Sequence, residues 1–156
     1  METKTFDFTY ISTQYAELPP AYQELVDRAK AATDGSYAPY SGFRVGAAVR
    51  LKNGRILSAS NQENASYPEG ICAERNVMFF AKANFPDVPV TSLAIAACNA
   101  DGYVRRPPMP CGACRQVIFE AVGRDHIDFN VILYGTDETL IIPQASFLLP
   151  LAFQLE

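Results

Sequence analysis

The sequence predicts an α/β fold of three layers, α-β-α, built around a five-stranded mixed sheet. Three observations predict it. Apolar periodicities of three to four residues alternate with short extended runs in the order αββαβαββα, and such alternation favours a sheet with helices on its faces. The run Ser92-Leu93-Ala94-Ile95-Ala96-Ala97-Cys98 is small or apolar throughout, which marks an interior strand covered on both sides. Asn53-Gly54 sits between two extended runs; Asn-Gly tolerates the positive φ of tight hairpin turns, so the sheet holds at least one antiparallel pair.

Residues 1–16 alternate threonine with aromatics, as in Thr5-Phe6-Asp7-Phe8-Thr9-Tyr10. That period of two reads as a strand able to pair with a sheet edge or a neighbouring subunit. From Pro20 onward Tyr22, Leu25, Val26 and Ala29 recur at helical spacing, and Gly35 closes this first helix. Residues 43–51 and 55–60 are the hairpin strands. Cys72 opens a second helix that runs to about Asn84; it ends at Phe85 because a residue before proline is pushed out of the α region. After the interior strand, Pro110 precedes a third helix over about 111–122. Two further strands follow at 129–134 and 139–142, then a short terminal helix over 145–153, interrupted at Pro150. With no repeat and no Gly/Ser-rich linker, the chain is expected to hold one catalytic domain over 20–156 preceded by an extension, 1–19.

Length and charge narrow the function. At 156 residues and 49% hydrophobic the chain can bury a core. Its net charge of -4 offers no field for gathering phosphate backbones, which argues against nucleic acid and for a small, weakly charged substrate. The start, Met1-Glu2-Thr3-Lys4-Thr5-Phe6, lacks the basic and apolar regions of a secretory signal. No apolar run approaches the ~20 residues of a membrane span, so no membrane partner is expected. The cytoplasm is the expected location, where thiols stay reduced and four cysteines with a C-x-x-C pair read as metal-binding or redox groups.

Cys72 is followed by Ala73-Glu74, and Pro110-Cys111-Gly112-Ala113-Cys114-Arg115-Gln116 comes later in the chain. Cys111 and Cys114, three apart, fall on one face of a helix's first turn, and Cys72 stands at the start of another. Helix N-termini carry partial positive charge and unpaired N–H groups, which stabilise thiolates. Three thiolates are one ligand short of a closed structural zinc site, leaving a position for water with Glu74 beside it to move a proton. An all-sulfur set leaves the metal centre with one net negative charge, which makes its water less acidic than catalysis wants. Arg75 and Arg115 each directly follow a candidate ligand. Guanidinium donors on the sulfurs would draw that charge away.

Cys-Ala-Glu followed by Pro-Cys-Gly-Ala-Cys-Arg-Gln resembles the short, zinc-dependent cytidine deaminases, including their three-cysteine type. Tyr37-Ala38-Pro39-Tyr40-Ser41-Gly42-Phe43-Arg44-Val45-Gly46 is similar to that family's first-strand segment, and Asn61-Gln62-Glu63-Asn64-Ala65-Ser66-Tyr67 to its second. The resemblance spans roughly residues 20–153. It implies one Zn²⁺ per subunit on Cys72, Cys111 and Cys114, with Glu74 as proton shuttle. It also implies deamination of cytidine and 2′-deoxycytidine to the uridines and ammonia, in pyrimidine salvage. By the same likeness Phe43 packs on the pyrimidine, Ala73 touches the substrate, and Asn61 and Glu63 hold ribose hydroxyls. Tyr67 and Phe153 would reach sites of neighbouring subunits in a homotetramer. An aromatic face for the base and a carboxamide–carboxylate pair for the sugar are also what a neutral nucleoside needs.

Plainer readings stand beside these. A lone C-x-x-C is also a redox pair. A structural zinc needs a fourth ligand; Cys98 supplies one by count, but its apolar run marks a buried, inert thiol. His126, the only histidine, lies among Arg124, Asp125 and Asp128 and reads as a solvated loop residue. Phe43 alone is a core aromatic, and Arg75 and Arg115 alone are surface helix arginines. Among rival functions, a nucleic-acid-editing deaminase would share the zinc chemistry but need a basic groove. A deaminase of modified nucleosides would keep the thiolates and change the sugar contacts. A zinc-stapled interaction module would close its metal with four protein ligands. Residues 1–19 extend beyond the family's usual start, and Gln62 stands where an apolar residue is common. Capping a sheet edge, lengthening a subunit contact and staying disordered are all open to the extension.

Overall fold

A computed structural model of the chain describes residues 1–155. Strands β1 (Ile11–Thr13), β2 (Arg44–Leu51), β3 (Ile56–Ser60), β4 (Val90–Asn99), β5 (Gly102–Tyr103), β6 (Asn130–Tyr134) and β7 (Thr139–Ile142) share one sheet with helices α1 (Pro20–Ala32), α2 (Ala73–Asn84) and α3 (Gly112–Asp125) on its faces. The strand order is β1-β7-β6-β4-β2-β3, with β5 added alongside the end of β4. Among the strands of the described residues only β4 and β6 pair in parallel; α3 lies in the connection that a parallel pair requires. The β2–β3 hairpin aligns Gly46 with Ser60 and Arg50 with Ile56, and Gly54 takes the φ of 86° its turn demands.

Period-two alternation sorts the sheet's side chains between two cores. Ala47, Val49, Leu93, Ile95 and Leu133 face Val77, Met78 and Ala81 of α2 and Ile118 and Ala121 of α3. Ala48, Ala94, Ala96 and Ile132 face Leu25, Val26 and Ala29 of α1. The residues under α1 are small because the helix lies against the sheet backbone. A Cβ on Gly46 would stand 2.0 Å from the Ala29 carbonyl oxygen, so only glycine fits there. At the far ends of α2 and α3, Lys82 forms a buried ion pair with Asp125 and also donates to the Val88 carbonyl at 3.1 Å.

The expected layers and mixed sheet are present, but the sheet has seven strands where five were expected. One addition is β5, a two-residue strand that no periodicity can announce. The other is β1, from the N-terminal extension, which pairs antiparallel with β7 from Ile11↔Ile141 to Thr13↔Thr139. It covers the edge of a strand whose four residues are all buried. Helix α3 runs to Asp125 rather than about 122, and His126 ends it in the left-handed conformation at φ 52°. The terminal helix over 145–153 is not formed. Only a 3-10 turn, Ala145–Leu148, is present; the residue before Pro150, Leu149, is held at φ -142° and ψ 77°, outside the helical region.

Candidate metal centre and active site

Cys72 and Cys111 are the residues immediately before α2 and α3, so both helices point their unpaired N–H groups at the same place. The Sγ atoms of Cys72, Cys111 and Cys114 all lie within 4.8 Å of one another. Cys72 to Cys111 is 3.8 Å and Cys111 to Cys114 is 3.3 Å, and all four cysteines are free. Three sulfurs held tetrahedrally at about 2.3 Å from one Zn²⁺ stand about 3.8 Å apart. The Cys72–Cys111 spacing already suits that ion, and the Cys111–Cys114 spacing opens by roughly half an ångström to hold it. Among the described residues no fourth side chain joins the group, and Cys98 lies buried in β4 paired with Tyr103.

The Cys72 thiol is held down to about 5 by the neighbouring Cys114 thiol, helped by Cys111 and Arg75 against its burial. The Cys114 thiol, beside Cys72 and buried, is pushed up. Three crowded sulfurs thus share charge and protons, and a metal replaces those protons when it binds. Glu74, 5% exposed, packs behind them in the first turn of α2. Burial is the main cause that pushes its carboxyl above the ordinary range. A carboxyl so placed takes up a proton more readily than one in water.

The two arginines divide. Burial works against the charge of Arg75, yet the neighbouring Cys72 holds the guanidinium above its ordinary value. Its Nε is buried without a partner, and Nη2 makes only a long 3.5 Å contact to the Gly70 carbonyl. Unspent donors against a thiolate suit a site that carries one net negative charge when loaded. Arg115 is turned away from the sulfurs: Nε donates to the Pro110 carbonyl at 2.9 Å and Nη1 to the Leu148 carbonyl at 3.0 Å. The expected sulfur contact of Arg115 is not made, because two backbone acceptors lie closer to hand.

A cavity of about 560 Å³ opens beside Cys72 and Arg75 and is walled by Tyr40, Asn61, Glu63 and Tyr67. The Glu63 carboxylate accepts from Ser41 Oγ at 2.5 Å and the Tyr40 N–H at 2.9 Å, and these bonds hold its pKa below the ordinary range. Asn61 is largely spent on the scaffold. Its Oδ1 accepts from the Val45 N–H and Ser36 Oγ, and its Nδ2 donates to the Phe43 carbonyl, leaving one N–H free. Phe43 is 40% exposed outside the cavity's lining. Ala73 is fully buried at the first position of α2. Phe153, 69% exposed, lies along α3 in a different cavity, its carbonyl accepting from Gln116. Ser41, Ser36 and Asn76, whose Nδ2 ties the start of α2 to the Ser60 carbonyl at 3.0 Å, escaped the sequence reading. Single polar residues in loops and first turns carry no periodic signal. His126 is exposed at the end of α3.

Two helix starts that gather three thiols beside a buried carboxylate, on the rim of an open cavity, define a metal-dependent enzyme of hydrolytic type. Residues 20–127 match the family model of the cytidine and deoxycytidylate deaminase zinc-binding region. A cytidine deaminase of Halalkalibacterium halodurans is 38% identical over 134 residues, covering 86% of this chain and 95% of that protein. One of Sporosarcina psychrophila is 37% identical over 134 residues, covering 86% and 92%. The solved cytidine deaminase from Burkholderia pseudomallei superposes with a TM-score of 0.71 at 36% identity, over 85% of this chain and 98% of that one. That from Mycobacterium tuberculosis gives 0.66 at 31%, over 86% and 98%. The chain belongs to the zinc-dependent cytidine and deoxycytidylate deaminase family.

Proposed function

We propose that this enzyme hydrolyses cytidine and 2′-deoxycytidine to uridine and 2′-deoxyuridine plus ammonia, in pyrimidine salvage, with Cys72, Cys111 and Cys114 holding one zinc ion per subunit. The observation that carries the reading is the buried Glu74 packed against a three-sulfur cluster at the mouth of a cavity walled by Asn61 and Glu63. Zinc held there supplies a Lewis acid that makes water nucleophilic at neutral pH. Glu74 takes one proton from the attacking water as its oxygen joins C4 and places that proton on N3. It then carries the oxygen's second proton to the exocyclic amine, and the C4–N bond breaks to release ammonia. Arg75 draws charge off Cys72. Glu63, ionised by its Ser41 and Tyr40 bonds, accepts from a ribose hydroxyl, and the free N–H of Asn61 donates to another. Phe43 packs on the base, and Ala73, at the helix start, lies where the pyrimidine meets the cluster.

Residues 20–156 form the catalytic domain and 1–19 an extension to it. We place four copies in the working assembly, with Tyr67 and Phe153 each completing a neighbour's site. Phe153 does not line the cavity beside Cys72, and α2 presents Phe79 and Phe80 to solvent at 52% and 49% exposure, which supports burial against other subunits. Three ligand thiols need a reducing compartment, which favours the cytoplasm; among the described residues no helix is long and apolar enough to cross a membrane.

Ammonia release from cytidine, deoxycytidine, cytosine and cytidine monophosphate, measured with a chelator and after zinc is restored, tests the reading. Turnover of the two nucleosides that disappears with the chelator and returns with zinc is expected. A protein that holds no zinc, or turns over neither nucleoside, refutes it.

A further inference from the structure

The N-terminal extension carries aromatics that touch the turn behind the cysteines. Phe6 and Phe8 both meet the ring of Phe147 edge-on, with centroids 5.9 and 6.1 Å away. Phe147 and Leu148 form the 3-10 turn whose Leu148 carbonyl accepts from Arg115 Nη1, and Arg115 Nε holds the Pro110 carbonyl immediately before Cys111. A continuous chain of contacts therefore runs from the extension through Phe147–Leu148 and Arg115 to the turn that carries Cys111 and Cys114. Phe6, Phe8, Phe147, Leu148 and Arg115 all border one apolar cavity of about 410 Å³, which Tyr10 also lines.

We propose that the N-terminal extension is a brace for the metal-binding turn of α3: Phe6 and Phe8 pack on Phe147 and fix the turn that presents the Leu148 carbonyl to Arg115, whose two carbonyl bonds then hold Pro110 and Cys111 in register with Leu148. The reasoning is steric. Arg115 holds the Leu148 carbonyl, 33 residues away in sequence, and the Pro110 carbonyl, five residues away, so the position of Leu148 sets where Arg115 and the cysteine turn sit. Removing the Phe6 and Phe8 rings frees Phe147 to move and lets the Leu148 carbonyl drift from Arg115. No residue of α2 lines this cavity among the described residues, so the loosening falls on one half of the ligand set. The proposal rests on the reading that these thiols hold zinc, and it makes Phe6, Phe8 and Arg115 positioning residues.

The test is Phe6→Ala/Phe8→Ala in the full-length, zinc-loaded protein, followed by zinc release to a chromophoric chelator. Release should quicken about tenfold, the low end of what lost supporting contacts cost a metal site, and Phe6→Leu/Phe8→Leu should restore it. Arg115→Met should quicken release by itself and make the alanine pair silent. Hydrogen exchange locates the effect: the Arg115 amide, bonded to the Cys111 carbonyl at 2.9 Å, should exchange faster, and the Asn76 amide, bonded to the Cys72 carbonyl at 3.0 Å, should not. Unchanged release, additivity with Arg115→Met, or equal acceleration at both amides overturns the brace. If the wild type holds no zinc, the metal reading fails, and the exchange comparison still decides the brace.

Discussion

Replacing Glu74 with glutamine separates proton transfer from everything else the side chain does. The two side chains have the same volume, none of the three sulfur ligands is touched, and the site is 5% exposed. An amide in a buried site carries no charge to desolvate, so the melting temperature should hold or rise. What disappears is the group that accepts and returns protons. General acid–base catalysis contributes about 10²–10⁴ in rate. Because bulk water scarcely reaches Glu74 and no second carboxylate joins the sulfur cluster among the described residues, little substitutes for it, and the upper half of that range applies. The expected loss in kcat is about 10³–10⁴, or roughly 4–5.5 kcal/mol of transition-state stabilisation. Steady-state ammonia release, with metal content measured on the same samples, reads both quantities. Turnover within about threefold of wild type at full zinc occupancy refutes the proton-carrier role. Zinc loss in step with activity would instead assign Glu74 to holding the metal.

Three other outcomes follow from particular contacts. The Glu63 carboxylate is held below its ordinary 4.5 by Ser41 and Tyr40; a depressed pKa means that its charge persists until pH falls through the lowered value. Ser41→Ala should move the midpoint up toward 4.5 in an NMR titration, and an unmoved midpoint contradicts the assignment. Lys82→Met strands Asp125, 4% exposed, as a buried unpaired charge. It should cost about 3–5 kcal/mol in denaturant unfolding, largely recovered by adding Asp125→Leu. Gly46→Ala drives a methyl to 2.0 Å from the Ala29 carbonyl, so α1 must move. A loss of about 3 kcal/mol is expected, at the upper end for overpacking, and a neutral result would contradict the close approach of α1 to β2.

Much of the active site can be read from residue order alone. Cys72 and Glu74 are local to one helix start and Cys111 and Cys114 to another, and a spacing of three suffices to give the second pair its common face. The hairpin at Gly54, the stop before Pro86 and the interior run of β4 are local as well. Arg115 shows where that logic stops. Its position after Cys114 suggests a sulfur contact, but the acceptors it takes belong to Pro110 and to Leu148, the latter 33 residues away. Asn61 behaves similarly: its amide reads as a sugar ligand, yet most of its capacity holds Phe43, Val45 and Ser36 in place.

By itself the sequence determined the kind of chemistry and the layered fold, because ligand identity, turn type and helix or strand period are properties of neighbouring residues. Tertiary structure alone decided the strand order, the pairing of β1 with β7 and the route from Phe6 and Phe8 to the cysteine turn. Those depend on which edge and which carbonyl lie nearest after the chain has closed long loops. The alternation over residues 1–16 predicted a strand, but only Ile11–Thr13 pairs, because that is the stretch that reaches the edge of β7; that Phe6 and Phe8 lie against Phe147 was settled by the fold alone.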